Sequence, residues 1–170
     1  MSQPTLGVET TALLKYLNDQ RAHALGILEG LDEDVLRRSV LPSGWTCLGL
    51  VQHLALDIER FWFRAIVAGE RTVIDGLAGA PEAWQVGSDV PVGAVFDMYR
   101  QEIDRANAII SATSLDTAPA WWPPDLFGDF RMDNLREIIL HVMTETACHA
   151  GHLDAAREII DGRLWLALTE

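Results

Sequence analysis

Four stretches of apolar residues recurring at intervals of three and four, each far longer than a strand, constrain the fold of this chain most. The first covers about 9–30, carries Leu13, Leu14, Leu17, Ala24, Leu25 and Leu28, and stops near Gly30. The short run LDEDVL adds one helical turn. LPSGWT then breaks the chain, Thr46 caps a second helix of about 47–68, and Gly69 ends it. A third runs about 92–113 with Val95, Met98, Tyr99, Ile103, Ala106 and Ile110 inward. The fourth is capped by Asp133 and runs to about 161, stopping at Gly162. Residues 70–90 are rich in Gly, Ala, Pro and Asp and read as a long connection, and SLDTAPAWWPPDLFGDF reads as another. No strand-like alternation runs at length. The pattern predicts an all-α, four-helix bundle in one domain spanning 1–170, with two long connections that permit several packing orders.

With 49% hydrophobic residues the chain can build a core without a disulfide or a structural metal. Cys47 and Cys148 form no CxxC pair, and each reads as a small buried hydrophobe. The net charge of -12 repels phosphates and anionic lipid surfaces, which argues against nucleic acid and membrane partners. No apolar run approaches the ~20 residues of a membrane span. The N-terminus MSQPTLGVETTALL lacks the basic start and cleavage site of a signal peptide, so the expected location is cytoplasmic.

The chemistry concentrates in the fourth helix. At about 100° per residue, with His141 at 0°, His152 falls at about 20°, Glu145 at about 40° and His149 at about 80°. Ile138, Ala156 and Ile159 share that side, while Arg136, Ala150, Asp154, Arg157 and Asp161 form the expected solvent face. Three histidines and a carboxylate on one such stripe need partners or a metal. Residues four apart converge; eight apart are separated by about 12 Å. The usable pairs are therefore His141–Glu145, Glu145–His149 and, less comfortably, His149–His152. His53, midway along the second helix beside Leu50, Leu54, Ile58 and Phe61, is the candidate third ligand. Such a donor set suits Zn, Ni, Fe or Mn. Each histidine also has a plain reading as a satisfied core residue, which is kept for His23. His141 and His152 read as cleft residues rather than ligands, and Asp57 as an orienter of His53 or an exposed acid.

Other chemistries lack their signatures. There is no HExxH, no paired ExxH set for two irons, no phosphate loop and no GxSxG elbow. The run Trp121–Trp122–Pro123–Pro124 reads as packed loop rather than as a lid.

The run GWTCLGLVQHLALDIERFWF followed by HVMTETACHAGHLDAAREIIDG resembles the DinB-like superfamily, which includes mycothiol-dependent maleylpyruvate isomerases and bacillithiol transferases. The resemblance covers about residues 9–162. It implies a four-helix bundle of unusual helix order with a metal at one end of the core. The superfamily's triad, one His from the second helix and two ligands four apart on the fourth, falls here on His53, Glu145 and His149. His152 then lies near the ion without binding it. The isomerase carries a further C-terminal domain, whereas this chain ends soon after its fourth helix.

The resemblance implies a metal-dependent enzyme acting with a low-molecular-weight thiol co-substrate, mycothiol or bacillithiol, by S-transfer, isomerisation or hydrolysis. His53, Glu145 and His149 would hold the ion, and His152, His141 or Asp57 would move protons. The alternative is a non-catalytic stress protein that binds a metal or small ligand. The resemblance and the Trp-rich loop also point to a homodimer with a small-molecule substrate.

Overall fold

The computed structural model describes residues 6–80 and 82–165. Its helices are α1 (Val8–Gly26), α2 (Glu33–Leu36), α3 (Cys47–His53), α4 (Arg71–Leu77), α5 (Val92–Ala112) and α6 (Leu135–Asp161). α3 runs without a break into a wide-turned π-helical stretch, Leu54–Val67. There are no strands among the described residues, and the bundle is all-α. No helix among them is long and apolar enough to cross a membrane.

The pairing of the long helices resolves the order that periodicity left open. The α3/π helix packs chiefly against α5 and also against α6, while α1 packs chiefly against α6 and touches α5. Consecutive long helices α1 and α3/π therefore stand diagonally across the bundle, as do α5 and α6. Each diagonal step requires a long connection, and these are the segments that carry α2 and the tryptophan run.

Local chemistry explains most element ends. The Thr46 hydroxyl accepts from the Gly49 N–H at 2.9 Å, capping α3 as the sequence predicts. Gly162 takes a left-handed φ of 77° and closes α6. The cap at the start of α6 is Asn134, not Asp133: its side chain accepts from the Glu137 N–H, and Glu137 reaches back to the Asp133 N–H at 2.9 Å. The segment 70–90 is not a plain connection either, since it holds α4. That helix buries none of its residues, so it leaves no apolar stripe to read.

The face assigned to α6 from its sequence needs a larger correction. Ile138 and Ala156 are buried as expected, but the stripe also takes in Ile139, Val142, Thr146, Ala150, Leu153 and Arg157, and its centre lies about 120° round from His141. Ala150 and Arg157 thus lie inside, and Ile159 is 59% exposed. Arg157 is buried because it donates to the Ile27 and Glu29 carbonyls at 2.8 and 2.9 Å, satisfying the end of α1. The histidines line the near edge of the stripe rather than its centre. Cys47 is buried, with its thiol pushed up to about 11 by desolvation, but Cys148 is exposed.

Two carboxylates sit in the core. Glu59, in the π stretch, is clamped by Arg21 of α1 through two bonds of 2.7 and 2.5 Å across the bundle diagonal. Arg21 also donates to Asn18 and Asn107, tying in α5. Glu102 of α5 accepts from Arg60 and Arg64. Burial raises the Glu59 carboxyl above its ordinary range, and the Arg21 charge opposes that shift.

Removing one partner of such a pair leaves an uncompensated buried charge. Arg21→Met should cost about 3–5 kcal/mol in urea unfolding, and the double variant Arg21→Met/Glu59→Leu should recover most of it. A single variant as stable as the parent would show that the pair holds nothing together.

Candidate functional site

The site forms where α3 gives way to the π stretch, against the middle of α6. His53 is the last residue of regular α3, and Asp57 follows on the first wide turn. The His53 Nδ1 lies 2.8 Å from the Asp57 carboxylate, which fixes the ring and leaves Nε2 as the nitrogen that Asp57 does not engage. Across the helix interface the His149 ring stands edge-on to His53, with centroids 5.0 Å apart. The His149 side chain is 12% exposed, and its Nδ1 is buried without a hydrogen-bond partner. Burial chiefly, and then His53 and His152, lower its pKa to about 4.

Glu145 lies one turn before His149 on α6, its carboxylate 3.8 Å from His149 Nε2. That side chain is 40% exposed and can turn. In the arrangement present, no three His, Cys, Asp or Glu side chains among the described residues are gathered closely enough to hold an ion. The donors nonetheless suit a metal in kind: a tethered imidazole, an unpartnered buried one and an adjacent carboxylate.

The other sequence candidates lie on two sides of this group. His141 lines a cavity with His53, Asp57 and Glu145, and packs edge-on against Trp62 at 4.5 Å. Desolvation lowers its pKa, so the imidazole at that wall is biased toward neutral. His152 is exposed on the other side, 5.7 Å from the His149 ring and 6.2 Å from Trp45. His23 is remote from all of these. It bonds Asp154 at 2.7 Å and stacks on Trp165, in keeping with its structural reading.

Trp84 is the residue that sequence reasoning missed. It stacks on His53 at 4.1 Å and meets the edge of His149 at 5.7 Å. Gly49 admits it: a Cβ there would stand 2.2 Å from the Trp84 carbonyl oxygen. Gln52 then holds the loop by donating to the carbonyls of Ala83 and Gln85. A single tryptophan in an aperiodic segment was the only available signal. The Trp121–Trp122 run is packed, as expected, yet Trp121 and Pro123 also wall the cavity of about 730 Å³.

The model of the family described as mycothiol-S-transferase matches residues 12–162 of the chain. That family is a member of the DinB-like superfamily, in agreement with the resemblance carried by the two motifs. No curated protein matches the chain.

The position of His149 has a direct consequence for its titration. Its pKa of about 4 in the fold lies below the ordinary 6.5, so between these values the unfolded chain binds a proton that the folded chain does not. Its contribution to stability is complete above pH 6.5 and is lost as pH falls toward 4. Proton NMR of the metal-free protein should show the His149 imidazole still neutral at about pH 5, identified as the resonance that vanishes in His149→Ala. Ordinary titration of all five histidines would contradict the buried placement.

Proposed function

Because the chain belongs to the mycothiol-S-transferase family, we propose that it joins the sulfur of a small thiol to an electrophile at the α3–α6 cleft, using a divalent transition metal held by His53, Glu145 and His149. The observation that carries this reading is the nearly buried His149 ring with an unpartnered nitrogen, 5.0 Å from a His53 ring already tethered on its other side. Two imidazoles and a carboxylate are donors for Zn, Ni, Fe or Mn. When bound, such an ion supplies the positive charge that lowers the pKa of a thiol beside it.

The chain's own residues prepare for that charge. With its low pKa, His149 keeps its lone pair at neutral pH. Asp57 accepts the proton side of His53 and fixes the ring orientation. Glu145 brings a negative charge by turning about its side-chain bonds from the cavity wall. Trp84 covers the two rings and limits the approach of water. In the reaction the thiol gives up its proton, its sulfur forms the bond to carbon, and the leaving group departs with its electron pair. His141 faces the cavity where the electrophile binds and can hold a proton there. His152, exposed beyond His149, offers a route for the thiol proton to solvent.

The test is conjugation of monochlorobimane with mycothiol, followed by fluorescence beside elemental analysis. The protein should hold about one metal per chain, and the rate should track occupancy, since a thiol of pKa near ~8.5 is mostly protonated at neutral pH. His149→Ala should lose metal and rate together, while His23→Ala should keep both. Asp57→Asn should cost about 10–100-fold in metal affinity or activity, as loss of an orienting carboxylate does elsewhere. Full metal occupancy with background rates for several thiols would overturn the transferase reading in favour of a metal- or ligand-binding protein.

A further inference from the structure

The cavity beside the histidines has walls that select a ligand. One side is aromatic: Trp62 and Phe127 stack with centroids 5.5 Å apart and planes 14° from parallel, and Trp121 meets the edge of Phe61 at 6.4 Å. All four border the open space, which at about 730 Å³ accommodates a drug-sized molecule. Flat faces and ring edges of this kind reward a planar π system through offset and edge-on contacts.

The charged groups on the same lining are all acids: Asp57, Glu82 and Glu145. Among the described residues no Lys or Arg side chain borders it. Three carboxylates outweigh even a bound divalent ion. The groove on the far side of α4 makes the contrast, because Arg60 and Arg64 line it, already engaged by Glu102 and Glu70. An anionic ligand entering the aromatic cavity would meet like charge without a compensating cation, a repulsion that solvent screens only in part because the acids stand at the cavity rim.

We infer that this cavity is the subsite for an uncharged, flat aromatic electrophile and that it discriminates against carboxylated ones. The inference rests on the S-transfer reading for the word electrophile, but the recognition it describes needs neither thiol nor turnover. The aromatic ring lies against Trp121 and the Trp62–Phe127 stack, close to His141, and the three carboxylates set the charge preference.

Isothermal titration calorimetry with two matched, unreactive probes tests it: 1,3-dinitrobenzene, which is neutral, and 3,5-dinitrobenzoate, which is anionic. The whole protein is titrated as purified with zinc and again after chelation. The neutral ring should bind at least about tenfold more tightly in both forms, a difference easily resolved on the affinity scale. Trp121→Ala should weaken it severalfold. Glu82→Lys, at an exposed position, should narrow the gap between the benzoate and the neutral probe at least threefold, by about 0.65 kcal/mol. Equal or tighter binding of the benzoate, or indifference of the neutral probe to Trp121→Ala, would overturn the inference. If neither probe binds while mycothiol conjugation proceeds, the subsite is refuted and the transferase reading stands. If the neutral ring binds selectively while no conjugation occurs, the subsite stands and the transferase reading falls.

Discussion

Burying Leu54–Val67 on nearly every side forces its neighbours into place, because so little of its surface is left for water. Leu54, Phe63 and Ile66 are fully enclosed, and α4, α5 and α6 all pack against the stretch. A helix this enclosed has no tolerance for unpaired charge, yet it carries Glu59 in its middle. The bidentate grip of Arg21 makes that carboxylate bearable and links two helices that stand diagonally apart. A stretch of π geometry is unusual, and widened turns of this type recur at functional sites. Here the widening begins immediately after His53, the residue that presents an imidazole to α6.

The same enclosure explains where chemistry can occur. Along most of the α6 interface the contact is apolar, from Ile138 and Val142 to Leu153. Polar side chains gather only at one edge, where the stripe of α6 meets the end of α3 and the Trp84 loop covers the junction. There His149 is desolvated enough to remain neutral, while the Glu145 carboxylate still reaches solvent. A neutral imidazole beside a carboxylate that reaches solvent can take up a divalent ion without first losing a proton. The acids along the adjoining cavity then give the whole cleft one sign of charge, matching the chain's overall balance.

Much of this was legible in the sequence, and the remainder failed for identifiable reasons. The four long helices, the Thr46 cap and the Gly162 stop follow from period and terminus chemistry, which are local. Spacing and motif pointed to His53, Asp57, Glu145 and His149, which the fold brings near one another without closing them around a common point. The inward face of α6 did not. Arg157 looked like surface because a charged side chain is usually exposed, and only its tertiary partners, the carbonyls just after α1, show why it is inside. Arg21 and Glu59 were invisible for the same reason, since each makes sense only beside the other, 38 positions away. Exposed α4 and Trp84 lay in a segment with no period, where one face of a helix and one aromatic contact leave no pattern to detect.

The central claim is that α3 and α6 together present two imidazoles and a carboxylate to one ion. X-ray absorption at the zinc edge of the loaded protein reads that donor set directly, because imidazole rings add outer-shell scattering and sulfur scatters at a longer distance, near ~2.3 Å. The account predicts a shell of nitrogen and oxygen only, near ~2.0–2.2 Å, with the outer scattering of two imidazoles that falls to one in His53→Ala. A sulfur scatterer from Cys148, or a spectrum unchanged by loss of His53, would place the ion elsewhere and contradict the account.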